Sequence, residues 1–111
     1  MITTNQFGSF GAKFSVIRTP SFNIRITTAK KGLLSGLSTI VWDDDGGSPP
    51  PPVMNINYEN HFPKDYRYIA HDNLTEELNK LGEDGHDLPS ALLSAAKTLK
   101  NKDLLKSFSI I

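Results

Sequence analysis

Cysteine is absent from this chain of 111 residues, which excludes disulfide bonds and thiolate metal ligands. The sequence also lacks any apolar run near the roughly 20 residues that a membrane span needs. Its N-terminal segment has neither the basic region nor the continuous apolar region of a signal peptide. We therefore expect a cytoplasmic protein that has no membrane partner.

Acidic residues are missing from residues 1–42, although the net charge of the whole chain is zero. Residues 43–90 are the opposite, because acids far outnumber bases there. These acids are Asp43, Asp44, Asp45, Glu59, Asp65, Asp72, Glu76, Glu77, Glu83, Asp84 and Asp87. Two interpretations are open: the blocks neutralise one another across the fold, or they form one basic and one acidic face suited to a charged partner.

The length and composition predict a single domain spanning residues 1–111, with 38% hydrophobic and 22% charged residues. Residues 43–52 read DDDGGSPPPP and are predicted to be an exposed loop between two strands. Three neighbouring aspartates repel one another and favour solvent, and four prolines have no N–H to donate to a sheet.

Alternating apolar and polar residues predict strands in the N-terminal two-thirds of the chain. The pattern runs from Phe7 to Thr28 with a turn at Thr19–Ser21, and returns in Ser38–Trp42 and Val53–Tyr58. A further short strand is predicted over Tyr66–Ala70. The polar residues of this alternation predict a sheet that has one solvent-facing side.

The period then changes to that of a helix. A first helix is predicted from Asn73, which forms a capping box with Glu76, to Gly82. A second helix is predicted to begin near Asp87 with Pro89 in its first turn. Apolar stripes at helical spacing predict the buried faces, namely Leu74, Leu78 and Leu81 in the first helix and Leu88, Leu92, Ala95 and Leu99 in the second.

Leu104, Leu105 and Phe108 indicate either a third short helix or an extension of the second. Strands followed by helices are typical of the α+β class. We expect an antiparallel sheet of four to five strands in the N-terminal two-thirds, covered on one face by two to three C-terminal helices.

Three histidines, His61, His71 and His86, lie in a stretch rich in carboxylates. Histidine beside a carboxylate is the chemistry of zinc sites and of acid–base pairs, so these residues are the catalytic candidates of a small hydrolase or nuclease. None has the i, i+4 spacing of a metal-binding helix, and no nucleophile motif accompanies them. We expect His86 to be solvated, His61 to pack beside Phe62, and no cofactor.

The triple aspartate Asp43–Asp45 is a second candidate, because clustered carboxylates bind hard cations. The following residues Gly46 and Gly47 supply no further spaced acid, and the proline run opposes wrapping of the loop around an ion. A solvated acidic loop without a metal is therefore the favoured interpretation.

Aromatic and basic residues interleave near the N-terminus, as in many modules that bind single-stranded nucleic acids. They are Phe7, Phe10, Lys13, Phe14, Arg18, Phe22 and Arg25. The phenylalanines can equally fill a core, and zero net charge is unusual for a dedicated nucleic-acid binder. Nucleic-acid binding is kept as an alternative.

The segregated charge and the lack of a catalytic motif favour a small non-enzymatic protein-interaction domain, such as an adaptor, an inhibitor or an immunity-type protein. Its protein partner is expected to have a basic surface. The oligomeric state stays open. The predicted binding residues are the acids Asp43, Asp44, Asp45, Glu76, Glu83, Asp84 and Asp87.

Overall fold

The computed structural model describes residues 1–7, 12–29, 38–44, 52–57, 64–100 and 107–110. Within these ranges the chain forms six strands and two helices. The strands are β1 (Ile2–Phe7), β2 (Ala12–Arg18), β3 (Asn23–Ala29), β4 (Ser38–Asp43), β5 (Pro52–Asn57) and β6 (Ser107–Ile110). The helices are α1 (Lys64–Glu83) and α2 (Leu88–Lys100). Neither helix combines the length and the apolar character needed to cross a membrane.

The strands form one antiparallel sheet in the order β1-β2-β3-β4-β5-β6. Five strands precede the helices, so the predicted α+β fold with C-terminal helices is confirmed. The sixth strand follows α2 and pairs with β5, where Phe108 lies opposite Ile56 and Ile110 opposite Met54. Phe108 was expected in a helix, and that prediction is wrong because Ser107–Ile110 alternates polar and apolar residues and completes the sheet edge.

Leu104 and Leu105, the other two residues of that predicted third helix, lie outside the described residues. The same holds for residues 45–51, which form most of the predicted loop at 43–52. The two ends of that loop belong to strands, because Asp43 ends β4 and Pro52 begins β5. The register shifts between Val41 and Trp42, which leaves Val53 as an extra residue on β5. A proline is tolerated at this first strand position.

The core lies between the sheet and the two helices. Ile24 and Ile26 of β3 and Met54 and Ile56 of β5 alternate toward the core beneath the helices, and all four are essentially inaccessible to solvent. Burying such a side chain stabilises the fold by about 1.5–3 kcal/mol. The predicted helical stripes are confirmed as buried except for the half-buried Leu88; the buried members are Leu74, Leu78, Leu81, Leu92, Ala95 and Leu99.

The opposite side of the sheet is also closed at its centre. Ser38 and Ile40 of β4 are fully buried there, and Asn55 of the neighbouring β5 is only 6% exposed. The expected solvent-facing side is therefore wrong along β4 and β5. The sequence explains the difference, because Ser38–Val41 has no charged residue, and uncharged β-branched runs are typical of strands that are buried on both faces.

α1 begins earlier than predicted, and it includes the Tyr66–Ala70 segment that was assigned to a strand. No glycine or proline interrupts the sequence between Lys64 and Leu81, and Ala70 packs in the core with the leucine stripe. The tertiary contact therefore overrides the strand propensity of the aromatic residues. Asn73 consequently lies in the middle of the helix, so the predicted N-cap at this residue is wrong.

The end of α1 is a Schellman motif centred on Gly85, which has a φ of 97°. The N–H of His86 donates to the carbonyl of Leu81 at 3.0 Å, and that of Gly85 donates to Gly82 at 3.3 Å. The predicted end at Gly82 is therefore wrong. The start of α2 is as predicted, because Asp87 Oδ1 accepts a hydrogen bond from the Ser90 N–H at 2.9 Å.

Gly82 has a different task, which is close packing against the turn between β2 and β3. A Cβ at this position would lie 2.4 Å from Thr19 Oγ1 and 2.6 Å from its Cγ2. The Ser21 hydroxyl donates to the Gly82 carbonyl at 2.9 Å and holds the turn on the helix. This contact fixes the C-terminal end of α1 on the sheet.

We predict that Gly82→Ala lowers the free energy of unfolding by about 1–3 kcal/mol, because the new methyl group overpacks against Thr19. Chemical denaturation measures the change. In a Thr19→Ala background the same glycine substitution should cost clearly less, since most of the clashing atoms are then gone. Equal costs in both backgrounds would show that the helix and the turn do not touch as described.

Candidate functional site

His71 lies on the sheet-facing side of α1, and its pKa is clearly displaced. Its side chain is fully buried between β2 and β3. The ring Nε2 lies 2.7 Å from Ser15 Oγ, and Nδ1 lies 2.7 Å from Thr28 Oγ1. Both ring nitrogens are therefore satisfied by hydroxyl groups of neighbouring strands.

These contacts belong to a longer row of polar side chains that crosses four strands. Ser15 Oγ lies 2.9 Å from Thr4 Oγ1 on β1, and the Thr28 hydroxyl is hydrogen-bonded to that of Thr39 on β4. We call Thr4, Ser15, His71, Thr28 and Thr39 the polar row. Each hydroxyl both donates and accepts, so the row can satisfy either neutral tautomer of the imidazole.

Burial lowers the pKa of His71 from 6.5 to about 4. The main cause is loss of water around the ring, which penalises the charged form. The positive charge of Lys13 lowers this pKa further, and the negative charge of Asp72 opposes the shift. The imidazole is thus neutral in the folded protein at physiological pH.

The polar row could not be assigned from the sequence, because its partners are set by strand register. Ser15 and Thr28 each sit where an apolar residue would continue the pattern of Ile17 and Ile26. A hydroxyl residue at a core-facing position indicates a buried polar partner. The partner, His71, can be identified only when the position of α1 over the strands is known. His71 has hydrogen-bond partners like those of a catalytic base, but the fully buried ring cannot touch a substrate.

His86 lies in the exposed turn between α1 and α2, as predicted. Its Nδ1 is 3.4 Å from Ser90 Oγ, which is longer than a well-formed hydrogen bond, and Asp87 beside it is occupied in capping α2. His61 lies outside the described residues. Within the described ranges, no group of three or more histidine and carboxylate side chains is arranged to hold a metal ion.

The aspartates of the predicted acidic loop are placed unequally. Asp45 lies outside the described residues, whereas Asp43 and Asp44 are only half-exposed at the end of β4. Asp44 Oδ2 lies 3.8 Å from Arg18 Nη2, and its Oδ1 lies 3.6 Å from Arg25 Nε. The expectation of a solvated loop residue is therefore wrong for Asp44, which pairs with two arginines of the sheet, and Asp43 belongs to β4 rather than to a loop.

The ion pairs of the described residues join the basic N-terminal segment to the acidic one. Besides the Asp44 pairs, Lys13 Nζ contacts Asp72 Oδ1, and the amino group of Met1 lies 3.3 Å from Glu83 Oε1. The two blocks thus neutralise one another in part. The compensation is uneven in space, since the Lys13 side chain is 13% exposed and that of Asp72 is 53% exposed.

This unevenness leaves an acidic surface along one side of α1. Asp72, Glu76 and Glu83 follow one another at i, i+4 and i+11, which places them on one side of a helix. Asp72 reaches β2 through Lys13, and Glu83 reaches Met1 beside β1, so this side lies toward β1. We call these three residues the acidic flank.

Of the other predicted binding residues, Asp84 is exposed at the end of α1, and Asp87 is exposed while it caps α2. The structure therefore places Glu76, Glu83, Asp84 and Asp87 along α1 and its following turn. Asp44 lies beside the turn between β2 and β3, since its N–H donates to the Asn23 carbonyl at 3.0 Å.

A cleft of about 260 Å³ separates α1 from α2. Its walls are polar on the α1 side, with Asn73, Glu76, Glu77 and Lys80, and the opposite wall includes Leu99. Lys80 offsets part of the negative charge here. Glu76 therefore borders both the cleft and the acidic flank.

As far as they are described, the residues of the nucleic-acid alternative do not lie on one basic aromatic surface. Lys13 and Phe14 are neighbours on β2 and therefore point to opposite faces, and Lys13 is engaged with Asp72. Phe22 packs against the core, and Arg25 flanks Asp44. Phe10 lies outside the described residues, and the side chain of Phe7 is not described.

Comparisons of the chain with protein-family models, with curated proteins and with solved structures find no match.

We predict that acid destabilises the fold through His71. In the unfolded chain the ring gains a proton near pH 6.5, whereas the folded protein resists protonation down to about pH 4. Stability therefore falls as the pH drops from 6.5 to 4, and the contribution of this group is about 3 kcal/mol.

Denaturation of the wild type and of His71→Gln between pH 7 and pH 4 measures this contribution. The variant should be less stable at pH 7, because Ser15 and Thr28 lose a matched partner, but it should lose less stability on acidification. His86→Gln, at an exposed histidine, is the control and should keep the wild-type slope. A parallel pH dependence of His71→Gln and the wild type would contradict the assignment.

Proposed function

We propose that this chain is a small protein-interaction domain without catalytic activity of its own, and that it binds a partner with a basic surface through the acidic flank. The observation that carries the proposal is the unequal exposure of the paired charges. Lys13 is largely buried beneath an exposed Asp72, while Glu76 and Glu83 remain at the surface. A partner approaching this side of α1 meets the carboxylates of Asp72 and Glu76, whereas at Glu83 the exposed amino group of Met1 offsets the charge.

The chemistry of the histidines supports the same proposal. The one with a strongly shifted pKa, His71, is enclosed by the polar row and is used to join α1 to the sheet. A perturbed pKa marks a catalytic candidate only when the group also reaches a cleft. The described cleft between α1 and α2 does not include His71.

The acidic turn continues this surface beyond the helix, since Asp84 is exposed directly after Glu83. Exposed charges at the edge of an interface act mainly on the association rate, because they attract a partner over the screening length of about 8 Å at physiological salt. We therefore place the role of the flank in steering and orienting a basic partner. An inhibitor or an adaptor uses such a surface in the same way.

The test starts with a partner identified by crosslinking and mass spectrometry in a lysate of the source organism. For that partner, the combined variant Glu76→Gln, Glu83→Gln and Asp84→Asn should associate about tenfold more slowly at low salt. The logarithm of its rate should also depend less on ionic strength than that of the wild type. Stopped-flow or surface-based kinetics over a range of salt concentrations gives both quantities.

The control is Glu77→Gln, which also removes a negative charge from α1 but lies outside the acidic flank, about 100° around the helix from Glu76. It should leave the association rate nearly unchanged. Equal rates and equal salt dependence for the combined variant and the wild type would refute the acidic flank as the binding surface.

A further inference from the structure

We propose that β1 accepts an extended strand of the partner at its free edge, and that the residues of this strand that face α1 are lysine or arginine. The inference rests on the proposed function and specifies the shape and chemistry of the ligand. It joins two features of the same side of the molecule, namely an open sheet edge and the acidic flank above it.

The hydrogen-bonding phase of β1 shows which groups point outward. Met1 and Arg18 exchange both backbone hydrogen bonds, with N···O distances of 2.7 and 3.0 Å. Because such pairs alternate along an antiparallel ladder, the N–H and C=O groups of Ile2, Thr4 and Gln6 point away from β2. β1 is the outermost strand of the described sheet, so these groups line its edge.

Within the described ranges, this edge shows none of the usual protection. Thr3 and Thr4 are exposed. Proteins commonly protect edge strands with charged residues, proline or a bulge. The sequence ITTNQF of β1 has no charge and no proline, and its pairing with β2 continues from Ile2 to Phe7 without a shift of register.

Two ligands fit such an edge, namely β1 of a second copy of this chain and a basic strand of a different partner. Charge favours the second. In a pair formed by β1 of two copies of this chain, the acidic flanks of the copies would approach each other across the new strand pair, and like charges would repel. A partner strand with basic residues gains attraction at the same place. Its backbone would lie about 4.8 Å beyond β1, where long cationic side chains can reach Asp72, Glu76 or Glu83.

The opposite side of the added strand would meet different chemistry. The nearest residues on that side belong to β1, where Thr3 is exposed, whereas Phe14 and Val16 lie one strand farther away on β2. Successive residues of a strand alternate between the two faces. The ligand predicted here is therefore an extended segment in which basic residues toward α1 alternate with uncharged residues.

The probe is a short synthetic peptide of alternating lysine and valine, compared with one of alternating glutamate and valine. Amide hydrogen exchange of the wild-type protein, followed by NMR, should show slower exchange of the Thr4 and Gln6 N–H groups when the lysine peptide binds. The glutamate peptide should bind at least tenfold more weakly. Binding of the lysine peptide should weaken as salt is added.

Two substitutions at one position separate the backbone donor from the side chain. Thr4→Pro and Thr4→Val both remove the hydroxyl that contacts Ser15, but only proline also removes the outward N–H. Thr4→Pro should weaken the lysine peptide about tenfold relative to Thr4→Val, the effect of one lost hydrogen bond. Circular dichroism checks that both variants are folded. The exchange measurement on the wild type does not depend on either variant.

The possible failures are distinguishable. If the lysine peptide binds in a salt-dependent way but the Thr4 and Gln6 amides are not protected from exchange, strand addition at β1 is wrong. The acidic flank would then remain as the binding surface. Equal binding of both peptides would overturn the basic ligand. Protection of β1 in the absence of peptide, with a dimer in sedimentation, would show that a second copy occupies the edge. A lysine peptide that does not bind at all would overturn this inference, whereas the partner kinetics test the proposed function separately.

Discussion

The position of α1 depends on the imidazole of His71, which is hydrogen-bonded on both sides by strand hydroxyls. Apolar contacts alone would let the leucine stripe slide along the sheet, because dispersion and burial have little direction. Hydrogen bonds to Ser15 and Thr28 do have direction, and a buried polar group without a partner costs about 1–3 kcal/mol. The polar row therefore sets the register of the helix on the strands, while the leucines supply most of its stabilisation.

Fixing α1 in this way also decides which of its sides remains open. The side toward the sheet is closed by the polar row and the leucines, and α2 packs along another side. The side toward β1 has no described helix against it, and it carries the acidic flank. The orientation of α1 thus has two results. It buries the neutral His71, which was a catalytic candidate, and it exposes the acidic flank.

The sequence was informative where one local pattern agreed with the tertiary structure. The stripe of Leu74 and Leu78 and the cap at Asp87 were predicted, because helical spacing and a capping carboxylate act within one or two turns. β1 was missed because Ile2–Gln6 shows no clear alternation, and its place is set by pairing with β2. The capping box at Asn73 was misleading, since a four-residue motif cannot tell a helix start from a helix interior when the preceding residues also favour a helix.

The candidate site was less predictable than the fold. The acids of the flank were all visible as charges, but their grouping depends on which side of α1 faces β1, and that is fixed by His71. Asp44 was predicted to be solvated because it belongs to an acidic run. In the structure it lies between two arginines. Exposure and pairing of a charged residue are properties of the assembled strands, and one local run does not encode them.

The position of β6 bears on the order in which the molecule assembles. The first five strands are joined to their neighbours by short connections in sequence, so each pair closes a small loop with a small loss of chain entropy. In the sequence, both helices lie between β5 and β6. The pairing of Met54 with Ile110 therefore closes a much longer loop. Such distant contacts form slowly, because the entropy of closing the loop is lost before the contact stabilises the chain. We therefore expect α1 to pack on the first five strands early in folding. The pairing of β6 with β5 would be one of the last steps.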